Sequence, residues 1–172
     1  MERTDPELRV DELTSLSQFL DYHRTTIVQR LEGLTKEQLG RTHPPSTLTL
    51  AGLIKHLALV EDSWFIEDML GEPLPEPWAS APFDDDPDWE HHSALDDTPE
   101  QLLAQYSESC ARSREIVARI GDLDALSASR SRHGEEGHFS LRWIMLHMIE
   151  ETARHNGHAD LIRESIDGVT GE

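Results

Sequence analysis

Four stretches of the chain carry apolar residues at helical spacing, and none sustains the alternation of a half-buried strand. The first covers residues 11–33, where Leu13, Leu16, Leu20, Ile27 and Leu31 recur at intervals of three, four and seven. Gly33 suits a stop, and Thr35 and Gln38 then have capping-box spacing over a short turn. His43, Pro44, Pro45 and Ser46 read as an extended connection, because a residue before proline avoids the α region. A second helix is expected over 49–71, with Leu50, Leu53, Leu57, Val60, Trp64 and Met69 on its apolar side. The third opens on Thr98 as cap, Pro99 at the first helical position and Gln101 completing the box, and Gly121 can end it. The fourth runs from Ser140 to about Gly168, a length of roughly 40 Å at 1.5 Å per residue.

Four helices of similar length predict an all-α protein: one domain over residues 1–172, folded as a four-helix bundle. The connections set the expected order. From residue 72 to residue 100 there are ten acidic side chains, six of the nine prolines, and no Lys or Arg. Such a segment is not helical throughout, and about 72–98 can serve as a crossover between helices two and three, giving up-down-down-up topology. Trp78, Phe83 and Trp89 suggest that it packs down in patches. Its acid run at 84–88 lacks EF-hand spacing and reads as a solvated loop. Residues 122–139 read as a second loop, carrying His133 and His138.

Charge changes the picture more than composition does. Against 34 Asp and Glu the 172 residues set only 15 Lys and Arg, a net charge of −19. That balance repels phosphate backbones and anionic lipid surfaces, so neither nucleic acid nor membrane is an expected partner. No apolar run approaches the ~20 residues of a membrane helix. The N-terminus is charged from Glu2 onward and has no apolar stretch of a secretory signal, which makes the cytoplasm the expected location. A single cysteine, Cys110, allows neither an internal disulfide nor a multi-thiolate zinc site. It sits on helix three's apolar side with Arg114 as its one basic neighbour at helical reach, and reads as packing instead of a nucleophile.

Ten histidines are many for this length, and their placement is informative. At 100° per residue, helix four shows one stripe of Ile144, Met148, Glu151, His155, then His158 and Ala159, and Ile162. Apolar residues bracket a carboxylate and an imidazole one turn apart, whose heads can converge on one ion. On helix two, His56 shares a stripe with Leu53 and Val60. Alone, it would read as a hydrogen-bonded core residue. Beside an inward Glu-x-x-x-His pair, a shared metal becomes the simpler account, because a buried carboxylate is costly without a cation. His23 lies on helix one's stripe and either lines this site or is a satisfied core residue. His147 and His158 read as side chains that support the ligands from behind or face solvent, with a fourth-ligand role as the alternative, while His91 and His92 are expected to be exposed. Trp64 and Trp143 read as core or pocket wall. The paired Glu-x-x-His motifs of di-iron bundles, the zincin His-Glu-x-x-His, phosphate-cradling glycine loops and the Gly-x-Ser-x-Gly elbow are all absent.

The segments LTLAGLIKHLALVEDSWF (48–65) and LRWIMLHMIEETARHNGHADLIRE (141–164), with QFLDYHRTTIVQRLEGLTKEQL (18–39), resemble the DinB-like metalloprotein superfamily. The resemblance implies an up-down-down-up four-helix bundle, usually a homodimer, with a divalent ion such as zinc or nickel held by three side chains. The family's first histidine matches His56, and the last of its helix-four motif matches His155. Many members have His one turn earlier, where this chain has Glu151. That triad of His, Glu, His is similar to the mycothiol-dependent maleylpyruvate isomerase branch, whose larger second domain has no counterpart here, so isomerase activity is not implied. The general implication is a metal-dependent transferase that uses a low-molecular-weight thiol, mycothiol or bacillithiol, as co-substrate and adds it to a small electrophile. An anionic thiol would need local positive charge, for which Arg142 and Arg154 are candidates. The alternatives are a non-catalytic metal-binding or ligand-binding module of the same fold, or a metal-free stress protein whose buried Glu and His simply pair.

Overall fold

In the computed structural model, which describes residues 3–130 and 137–171, the capping signals fall where the sequence puts them. Helix α1 (Glu12–Leu31) is capped by Asp11, whose carboxylate accepts from Thr14 N–H, and the one-turn α2 (Lys36–Leu39) has a full Thr35/Gln38 box. Helix α3 (Leu50–Asp62) starts on a Thr49 cap and continues without a break into a π-helical segment, Ser63–Leu70, closed by Gly71 at φ +69°. The crossover contains a 3₁₀ turn (Trp78–Ser80) and the short helix α4 (Trp89–Ser93). Helix α5 (Pro99–Ile120) has the Thr98/Gln101 box at one end and left-handed Gly121 at the other. Helix α6 (Leu141–Asp167) runs from a Ser140 cap to left-handed Gly168.

The π-helical turn was not foreseen, since its residues continue the apolar stripe without a break. The chain is also not purely α. Within the segment read as a loop, β1 (Leu126–Arg130) and β2 (His138–Ser140) pair antiparallel, with Leu126 opposite Ser140 and Arg130 opposite His138. Strands this short and rich in serine carry too few apolar positions for a period of two to register. They are held by side chains instead: Ser127 Oγ accepts from Phe139 N–H at 2.9 Å, and His138 Nδ1–H donates to the Ser127 carbonyl at 2.6 Å. His133 lies outside the described residues.

Helix α1 packs against α6 and α3 against α5, and α4 lies on α3. Two apolar clusters result, one around Leu53, Leu57, Tyr106 and Ile162, the other around Leu20, Phe65, Ile144 and Met148. Polar pairs are built into this interior. Arg24 forks onto Glu61 at 2.7 and 2.6 Å, and Asp62 accepts from Trp78 Nε1, Ser109 Oγ and Arg112. No helix among the described residues is long and apolar enough to cross a membrane.

Candidate metal centre

Three elements converge on the histidines. His56 comes from the middle of α3, where Leu53 and Leu57 are fully buried and fix the face on which the imidazole emerges. Glu151 and His155 stand one turn apart on α6, bracketed by buried Met148 and Ala159. Glu90 and His91 arrive from α4, in the crossover.

The candidate residues do meet. Glu151 Oε1 lies 3.0 Å from His155 Nε2 and 3.5 Å from His56 Nε2, and the donor atoms of all three sit within 4.8 Å of one another. A tetrahedral ion with bonds of about 2.0–2.1 Å needs ligand-to-ligand edges of about 3.4 Å, so the contacts from Glu151 already have that size. The chemistry of the set also fits a borderline divalent cation: two imidazoles and one carboxylate. Side-chain exposures of 23% for His56, 19% for Glu151 and 14% for His155 leave the cluster reachable from solvent, as a site with an exchangeable position requires.

Charge at the site is arranged around the imidazoles. Hydrogen bonds from His155 and then His56 hold the Glu151 carboxyl well below the usual carboxylate range. Burial would push His56 down, but the carboxylates of Glu151 and Glu90 outweigh it and raise its pKa to about 9. Elsewhere in the interior, Arg24 neutralises Glu61 and Arg112 neutralises Asp62. Glu90 and Glu151 face histidines instead.

Glu90 and His91 were missed as site residues. His91, expected to be exposed, is half-buried and stacks on His56 with ring centroids 5.1 Å apart and planes 18° from parallel. Glu90 is buried, and its Oε1 is 2.9 Å from His56 Nδ1. Residues His56, Glu90 and His91 form a second group whose donor atoms lie within 4.8 Å of one another. The sequence offered one clue, a carboxylate next to Trp89 in a segment with aromatic anchors. His92 is exposed and pairs with Asp86, as expected of a surface residue.

The other histidines take supporting places. His158 Nδ1 is 3.4 Å from His155 Nδ1, beside the cluster. His23 is bonded by Asn156 from α6, whose Nδ2 donates to its carbonyl at 3.0 Å, and stands in neither cluster. His147 packs on Trp64 and Trp143, which with Phe139 make an aromatic group at the start of α6. Arg142 is committed to Glu12 and Asp124 and so is not the free cation expected, while Arg154 is exposed on α6. Cys110 is buried 3.8 Å from Glu61 Oε1, and burial together with that carboxylate pushes its thiol far up. A cleft of about 500 Å³ lies between α1 and α5, lined by Arg24, Val28, Tyr106 and Cys110, and none of the clustered histidines lines it.

Fold and site together define a mostly helical protein with a histidine–carboxylate cluster able to hold a metal ion. The chain belongs to the mycothiol-S-transferase family, a DinB-like family, whose model matches residues 15–168. No curated protein matches it in sequence. Among solved structures, the crystal structure of the conserved protein of a locus from Enterococcus faecalis is similar at a TM-score of 0.71 and 14% identity, covering 94% of this chain and 100% of that one. That likeness speaks for the fold.

Proposed function

We propose that this chain is a divalent-metal-dependent transferase that joins a low-molecular-weight thiol of the mycothiol kind to a small electrophile, with His56, Glu151 and His155 as the metal ligands. The observation that carries the reading is the convergence of one carboxylate and two imidazoles within 4.8 Å, in a chain whose family is defined by mycothiol transfer. Three protein ligands are the pattern of a catalytic site with a position left open, in contrast to a closed structural one. When bound, the ion supplies a positive charge that favours thiolate over thiol at that open position. Glu151, held ionised by its two imidazole neighbours, offers its carboxylate as a donor at neutral pH. Cys110 is buried and held as a thiol, so the attacking sulfur belongs to the co-substrate. The new carbon–sulfur bond takes the thiolate's electron pair. The bond that breaks in the electrophile, a π bond in an addition or the bond to a leaving group in a substitution, keeps its own pair and is neutralised by a proton equivalent to the one the thiol gives up.

The same reading covers the rest of the molecule. Residues 1–172 form one domain, and the four long helices form an up-down-down-up bundle; the α1–α6 and α3–α5 pairings and the long crossover support that order. The ion is zinc or nickel, both suited to imidazole. The protein is a cytoplasmic homodimer, for which exposed Phe19 on α1 and Trp143 and Leu146 on α6 offer apolar contact surface.

Elemental analysis of untagged protein tests the centre and should return near one equivalent of metal. His155→Ala should lose most of it and, with it, consumption of mycothiol in the presence of a generic electrophile. Full occupancy in that variant would sink the ligand assignment. A Cys110→Ser protein that keeps its metal yet loses all thiol transfer would sink the mechanism.

A further inference from the structure

The imidazole of His56 has two nitrogens and two carboxylates. Its Nε2 faces Glu151 at 3.5 Å, on the side of His155, while its Nδ1 lies 2.9 Å from Glu90 Oε1. A neutral imidazole carries one N–H, and the tautomer follows the hydrogen bond its other nitrogen makes. With a carboxylate at Nδ1, the proton is held there and the Nε2 lone pair points at the other two candidate ligands. The ring is also fixed in plane by the parallel stack of His91.

Glu90 is an unusual residue to find buried. It is 5% exposed, and its second oxygen, Oε2, has no hydrogen-bond partner. Desolvating a carboxylate for one hydrogen bond is costly, and docking of the crossover does not need it. Trp78 is anchored through Nε1 to Asp62 at 2.9 Å and packs on Trp89, which Lys55 covers at 4.9 Å while bonding Asp97 at 2.6 Å. A neutral side chain at position 90 would leave those anchors in place. What it would not do is accept from His56.

We propose that Glu90, delivered by the acidic crossover, is a positioning residue that accepts the Nδ1–H of His56 and thereby aims Nε2 into the metal centre. The inference rests on the reading of His56, Glu151 and His155 as ligands. It gives the crossover a part in the site: the segment supplies the carboxylate that makes a core histidine into a metal ligand. Such outer partners of ligating histidines are worth about 10–100-fold in metal affinity.

Cobalt(II) alone, with affinity measured against a chromophoric chelator, tests this without reference to turnover. Glu90→Ala should bind cobalt about 10–100-fold more weakly, while the metal-free variant keeps its far-UV circular dichroism. Glu90→Gln retains an acceptor oxygen and should recover most of the loss. Glu90→Asp keeps the charge but is too short to reach Nδ1, and should behave like alanine; it serves also if the alanine variant folds poorly. At saturating cobalt every variant should show the wild-type d–d band, because the ligand set is unchanged. Wild-type affinity in Glu90→Ala, no recovery in Glu90→Gln, or a shifted band that makes Glu90 a ligand would each overturn the proposal. His56→Ala separates the two readings: if it binds cobalt like the wild type, the metal centre itself is wrong.

Discussion

His56 is the residue on which most of the proposed chemistry turns, and its pH behaviour is open to measurement. In the metal-free protein its pKa is raised from 6.5 to about 9, because the Glu151 and Glu90 carboxylates outweigh burial. A folded-state pKa above the unfolded one means that this stabilisation is complete below about pH 6.5 and is lost as pH rises through about 9. A metal requires the unprotonated ring, so uptake must expel that proton. Metal affinity should therefore climb with pH from neutrality to about 9 and then level off, while the melting temperature of the metal-free protein falls over the same interval. Calorimetric titrations in two buffers of different ionisation enthalpy would show the released proton. A pH-independent affinity is the contrary result.

The buried pair of Arg24 and Glu61 poses a different test at the same scale. Both side chains are nearly inaccessible and bonded twice, so removing one partner strands a charge in the interior. Arg24→Met should cost about 3–5 kcal/mol in urea unfolding. Arg114→Ala, which removes an exposed partner of Asp21, should cost less than about 1 kcal/mol. Equal losses in the two variants would contradict this account of the interior.

At the scale of elements, the junction between α3 and α4 carries the most information. Gly52 lies in α3, where alanine would ordinarily be better by about 1 kcal/mol. Here an added Cβ would stand 2.7 Å from His91 Nδ1 and 3.4 Å from His91 Cα. The glycine thus lets the crossover approach α3 closely enough for His91 to stack on His56. Gly52→Ala should leave helix content unchanged or higher and yet weaken metal binding, as His91 and its neighbours are displaced. Unaltered cobalt affinity in that variant would show that the close approach does not matter to the site.

Across the whole molecule, the charge of −19 and the apolar side chains left outside the core act in opposite directions on association. Phe19, Trp143 and Leu146 are between 43% and 52% exposed and would lose that contact with water in an interface between two copies. The proposed homodimer should persist at micromolar concentration and tighten with added salt, as screening reduces the repulsion between acidic subunits. Light scattering that returns 19.5 kDa at all ionic strengths would contradict it.

The boundaries of the four long helices were legible because caps are local chemistry. Asp11, Thr49, Thr98 and Ser140 each accept from a backbone N–H three residues on, and Gly71, Gly121 and Gly168 take the left-handed conformation that ends a helix. Glu151 and His155 were legible for the same reason, one turn of one helix, and His56 by the apolar residues around it. Everything that joins distant parts of the chain was decided only by the tertiary structure. Glu90 reaches His56 across 34 residues, Arg24 reaches Glu61 across 37, and Ser127 accepts from Phe139 N–H between two strands too short to show a period. Periodicity reports which face of an element is apolar, but not which polar group a neighbouring element will bring to it. A carboxylate in an acidic, proline-rich segment therefore looks like solvent-facing charge until the crossover folds back and sets it against an imidazole.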